Sequence, residues 1–239
     1  MLQQNANTAF IFPLIDQHFG KSIKHISIIP HRSLHLESTE PIIQKIRTVF
    51  AQLLTQQTIA FENEKTIVLR NSLMLSSVVE LLITAIKSAG YQYNQEVFIC
   101  IDCNNRGNHE VYEIDELAFE QSVEDVRGYY QKIADAYNPL IIANPFSLSD
   151  IKAYQSLHLA IGEKTLLTAS VEPKDNTSLF SAKACSCIWL DMHSASQREE
   201  IVNAIANIHK YKLKAIVSIN NPRFIEYFEP KAPDFIHFA

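Results

Sequence analysis

Asp102 closes an apolar run that begins Val97-Phe98-Ile99-Cys100-Ile101. A carboxylate at the C-terminal end of a buried strand stands where barrel enzymes hold their catalytic groups. A hard oxygen there also suits Mg²⁺. Asp191 ends a second apolar run, and His193 follows two residues on. Strand alternation puts Asp191 and His193 on one face. Imidazole is the side chain that changes charge near neutrality. With Asp102 the two would form an Asp/Asp/His cluster able to move protons. The plainer reading makes Asp102 a polar plug in a barrel mouth, paired with Asn104 or Asn144. Asp191 and His193 would then simply face water, as strand-end residues usually do.

The four cysteines carry less. Cys100 and Cys103 have CxxC spacing, but on a strand positions i and i+3 point to opposite faces, so they share no metal or disulfide. Cys185 and Cys187 share a face at a separation of two, without a second pair at zinc-site spacing. All four are expected to be small buried hydrophobes. Lys21, Lys24, His25, His31 and Arg32 make a mildly basic stretch. Glu110, Glu113, Asp115, Glu116 and Glu120 make an acidic one. Both are expected to be solvated faces.

The elements that must position these groups are legible as periods. Apolar runs of strand length occupy residues 97–103, 140–144, 165–170, 187–191, 215–219 and 235–238. Helical periods fill 116–136, 148–161 and 197–211, and 224–228 has room for barely two turns. Before them stand two strand candidates, 10–15 and 25–29, and two helices, 41–56 and 73–89. Gly90 follows the second helix as a C-terminal cap. Strands alternating with helices imply a parallel sheet covered on both faces. Eight strands with six crossovers favour a closed barrel of order ββαα(βα)6, its first connection antiparallel, over an open doubly wound sheet.

Composition narrows the function classes. The chain has 239 residues, 47% of them hydrophobic, so one large core is expected. The expected division is a tail over residues 1–9 and a single barrel domain over 10–239. A net charge of −5 argues against a nucleic-acid binder working by bulk charge. Five glycines cannot build a phosphate-cradling glycine loop. No apolar run approaches about 18 residues, so no membrane span is expected. A polar N-terminus and free thiols suggest a cytoplasmic protein.

Several segments resemble the barrel domain of enolase. Ala89-Gly90-Tyr91 followed by Ile99-Cys100-Ile101-Asp102 resembles AGY…IGLD. Tyr112-Glu113-Ile114-Asp115 resembles YDLD, and 140–146 followed by Ser149-Asp150 resembles VSIEDPF…DD. Leu157 with Leu159-Ala160-Ile161-Gly162-Glu163-Lys164 resembles LT..LGDK, and 183–188 resembles KACNAIL. Val217-Ser218 is similar to the start of VSHRS, and Ile28-Ile29-Pro30 to MIMP. The resemblance implies a TIM-type barrel of enolase order in a single domain, without the family's N-terminal domain.

It also implies phosphopyruvate hydratase chemistry, a Mg²⁺-dependent carbon–oxygen lyase step of glycolysis. There a lysine base removes a proton alpha to a carboxylate, and metal charge stabilises the dianion. The correspondence keeps one metal carboxylate of three, Asp102. Ala143 and Asn144 take the places of the next two acidic residues of the motif. Thr168-Ala169-Ser170 replaces the third ligand's segment, and Asp191 replaces the base. Ile219-Asn220-Asn221 stands at the substrate-binding His-Arg-Ser, and Lys24-His25 at the Gln-Glu pair of the second strand. Residues 63–68 stand at a mobile glycine-rich loop and contain no glycine.

The resemblance therefore implies a barrel protein that has lost hydratase activity and acts in binding or regulation, Asp102 being the one retained metal position. The alternative is a Mg²⁺-dependent lyase rebuilt around Asp102, Asp191 and His193. A second copy of the chain or a true enolase is the implied partner, with no nucleic acid and no membrane. With two carboxylates gone, the mouth is expected to be closed by Trp189 or Met192, or to remain a neutral pocket lined by Asn144.

Overall fold

Eight strands, buried along nearly their whole length, build the centre of the protein. The computed structural model describes residues 8–16, 23–31, 36–63, 66–70, 73–103, 105, 112–114, 121–173, 179, 181–228 and 232–239. The chain starts with β1 (Ala9–Asp16) and β2 (Ile23–Pro30), then α1 (Leu36–Gln56). A short hairpin follows, β3 (Phe61–Asn63) and β4 (Ile67–Leu69), then α2 (Leu75–Ser88). Next come β5 (Val97–Cys103), α3 (Val123–Tyr137), β6 (Ile141–Ala143), α4 (Ile151–Ile161) and β7 (Leu166–Ser170). The last part holds β8 (Cys187–Met192), α5 (Arg198–Lys210), β9 (Lys214–Ile219), a 3-10 segment Pro222–Phe228 and β10 (Phe235–Phe238).

β1, β2 and β5 through β10 pair in that order, and β10 pairs back onto β1, so the barrel is closed and eight-stranded. β2 is antiparallel to β1 and to β5, and every other pairing around the ring is parallel. β4 continues the edge of β1 beyond β10, pairing Ile15 with Ile67 and Asp16 with Val68.

The expected TIM-type barrel of order ββαα(βα)6 is corrected by this topology. The barrel is mixed, and it is not made of alternating strand–helix units. A β-hairpin separates α1 from α2, and the link from β9 to β10 is a 3-10 segment. Among the described residues, α1 and α2 lie between β2 and β5, α3 between β5 and β6, α4 between β6 and β7, helical Leu179 and Ser181 between β7 and β8, and α5 between β8 and β9. The descriptions "TIM barrel" and "enolase-like" therefore do not carry over to this fold. The physical reason is that strands of three residues, such as β3 and β4, are too short to show a period.

Two apolar layers hold the barrel. The inner one includes Ile11, Ile29, Cys100, Ile141, Cys187 and Phe235. The outer one joins the opposite strand faces, such as Ile99, Ile101 and Ile188, to the helices. Both strand faces are covered, which is why the strands read as continuous apolar runs. α3 starts at Val123, where residues 116–136 predicted an earlier start. Ser122 and Asp125 form a capping box there. The helix ends at Asn138, in the left-handed conformation at φ 48°, just before Pro139. α1 begins at Leu36, five residues before the expected Pro41, and carries that proline inside its second turn. The acidic stretch is described only at Glu113, which is exposed, and Asp115 lies outside the described residues.

Candidate functional site

The barrel mouth lies at the C-terminal ends of the parallel strands, and a cavity of about 830 Å³ opens there. Asp102 from β5, Asp191 from β8 and His193 just beyond it all line this cavity. Asp102 is 3% exposed, and its Oδ1 accepts a 2.6 Å hydrogen bond from Asn144 Nδ2. Asn144 in turn accepts from the Ser170 amide at 2.7 Å and sits at φ 54°. Asp102 is thus clamped by a neutral amide from the next strand end. Asp191 is partly buried, while β8 stops at Met192 and His193 is exposed. The His193 amide donates to Gln197 Oε1 at 2.8 Å, turning the chain toward α5. The expected shared face of Asp191 and His193 therefore ends with the strand. Among the described residues, no group of three His, Cys, Asp or Glu is placed to hold a metal ion.

A second constellation was not foreseen. Asp16 Oδ1 pairs with His25 Nδ1, and Asp16 Oδ2 accepts from the Thr66 hydroxyl. All three line the cavity. His25 points inward because Ser27 and Ile29 do, two and four residues on. A β-bulge between Pro13 and Ile15 brings Asp16 to the same face. It lets Ile15 pack outward with Ile26, where plain alternation would turn Ile15 in and Asp16 out. Asp16 then pairs with His25, and His25 with Asp102, in register across β1, β2 and β5. The expectation of a solvated basic face is corrected at His25, which lines the cavity. No periodicity in the sequence announces the bulge. The pairing with Thr66 depends on the hairpin that sequence reading missed.

On β9 and β10, next to β1 around the ring, Ser218 Oγ and His237 Nδ1 are hydrogen-bonded at 2.8 Å, both side chains buried. The Trp189 ring meets the His237 ring edge-on at 4.8 Å. Trp189 is 2% exposed, and its Nε1 has no hydrogen-bond acceptor among the described residues. Ser170 Oγ, its register neighbour on β7, is likewise buried without a partner. An unpaired buried polar group costs about 1–3 kcal/mol. Trp189 and Met192 line the mouth rather than closing it.

The lining also includes apolar side chains, Phe12, Ile219 and Phe238 from the strands and Ile43 from α1, all members of the outer layer. The Phe12 and Phe238 rings stack at 5.0 Å and 19°. At its edge Arg47 donates to Asn63 Oδ1 through Nε at 3.0 Å and Nη2 at 2.7 Å, tying α1 to β3.

The cysteines are free and buried. Cys100 belongs to the inner layer and Cys103 to the outer, on opposite faces. β8 begins only at Cys187, so Cys185 is not on the strand, and it packs in the outer layer instead of sharing a face with Cys187. Burial pushes the Cys185 thiol up to about 12, and it raises the other three as well. No protein-family model matches the chain.

Proposed function

We propose that this chain binds a small organic molecule in the barrel mouth and is not a phosphopyruvate hydratase. The observation that carries the reading is the 830 Å³ cavity, whose lining combines fixed polar groups with apolar side chains. Ligand sites are concave, largely apolar and preformed, with a few placed polar groups. Hydratase chemistry needs metal charge on a dianion. Here Ala143 and Thr168 stand beside Asp102 in register where further carboxylates would be required. Trp189 is the chain's single tryptophan and lines the cavity, so its emission reports occupancy. A metabolite panel titrated against that emission, with thermal unfolding as a second readout, tests the reading. A saturable change with at least one compound is expected. A panel that shifts neither emission nor melting would defeat it.

One observation favours a second reading, a carbon–oxygen lyase with a rearranged site. Asp16 orients His25 through Nδ1, the arrangement by which a carboxylate fixes a histidine base. In this reading His25 Nε2 removes a proton from a ligand carbon, the C–H electron pair forms the new double bond, and the hydroxyl on the neighbouring carbon leaves with its bonding pair. Turnover lost on His25→Gln with ligand binding kept would favour it. Binding without turnover across the compounds that bind would leave the first reading standing.

A further inference from the structure

We propose that the cavity takes a hydroxyl-rich, non-anionic small molecule carrying an apolar segment, a glycoside in chemistry. This rests on the binding reading above and narrows it to a ligand class.

Charge is the first argument. Among the described lining residues, the carboxylates Asp16, Glu40, Asp102 and Asp191 outnumber the cations Lys24 and Arg47. Arg47 is already engaged by Asn63. A ligand carboxylate or phosphate entering this partly desolvated mouth meets like charge, at a dielectric well below that of water.

The second argument is the orphan donor. Trp189 lines the cavity, and its Nε1 is buried with no hydrogen-bond partner among the described residues. A neutral hydroxyl or ether oxygen supplies that acceptor without bringing a charge. Ser170 Oγ lies beside it in register, also without a partner. Hydroxyls both donate and accept, so they match a wall that mixes carboxylate, imidazole and indole groups.

The third argument is the apolar part of the lining. Phe12 and Phe238 are half-buried and stacked at the rim, and Ile43 lines the cavity with them. A ligand polar on every face would leave this surface uncovered, whereas an aryl or alkyl substituent fills it.

Phenyl β-D-glucopyranoside, D-glucose and D-gluconate vary the apolar group and the charge on similar hydroxylated frames. Each is titrated into the whole chain, with Trp189 emission and calorimetric heat as readouts. Phenyl glucoside is expected to bind most tightly, glucose roughly tenfold more weakly for loss of the ring, and gluconate weakest. Trp189→Phe, followed by calorimetry, should weaken phenyl glucoside roughly tenfold. Asp191→Asn should improve gluconate relative to phenyl glucoside, and this variant decides the charge argument if Trp189→Phe does not fold. Gluconate or 2-phosphoglycerate binding more tightly than the glucoside overturns the ligand class while the binding reading stands. Silence of the glucosides, with another compound of the metabolite panel saturating the emission change, does the same. Silence of every compound overturns both.

Discussion

Asn144 shows how much one residue carries at this site. Its side chain bridges the Asp102 carboxylate and the Ser170 amide, and its backbone sits at φ 54°. Asparagine tolerates that left-handed conformation better than most residues. Asn144→Ala removes both bonds, leaves Asp102 short of a donor and keeps the strain. It should lower unfolding free energy by about 3 kcal/mol, measured by urea titration. The thiols lead to a second expectation at this scale. Thiolate, not thiol, attacks disulfide reagents. Burial holds Cys185 up at about 12 and keeps the other three protonated too. Native protein at pH 8 should therefore leave Ellman's reagent essentially colourless, and urea should release four reactive thiols. Rapid native labelling of even one would contradict the packing described.

At the scale of elements, the ends of helices and strands decide where side chains point. The Ser122 hydroxyl accepts from the Asp125 amide at 3.2 Å, the N-terminal cap of α3. Ser122→Ala should cost about 1 kcal/mol, read as a lower urea midpoint at unchanged slope. A larger loss would mean that the cap also holds the Tyr112–Gln121 bridge next to it. Strand ends matter more for function. The bulge in β1 carries Asp16 to His25, and the early stop of β8 releases His193 toward solvent.

The whole molecule combines a covered sheet with an open mouth, and metal is not needed to relieve crowded carboxylates there. Asp102 faces Ala143 in register, and Ala143 faces Thr168. Thermal unfolding is therefore expected to be the same in millimolar Mg²⁺ and in EDTA. Occupancy at a hundredfold excess over Kd would raise stability by about 2.7 kcal/mol. A Mg²⁺-dependent rise abolished by Asp102→Asn would reveal a metal site. Pure protein should also show no dehydration of 2-phosphoglycerate above a contaminating-enolase control. Activity lost on Asp102→Ala would refute that expectation. No helix among the described residues is long and apolar enough to cross a membrane.

Much of the fold was legible in the sequence because burial writes itself into residue order. Val97–Cys103 and Phe235–Phe238 are strands over the same residues that read as apolar runs. The apolar stripes of α1, α2 and α5 are the faces packed on the barrel. Asp102, Asp191 and His193 were legible as strand-end polar groups, and they line one cavity. Tertiary structure alone decided the rest. The hairpin β3–β4, with three residues in each strand, left no period to read. The Asp16–His25–Thr66 group joins residues from β1, β2 and the β4 edge through one bulge. The orphan Trp189 donor exists only because closure of the barrel removes it from water and sets no acceptor beside it among the described residues. Such features arise from long-range register, and a single chain of letters does not encode register locally.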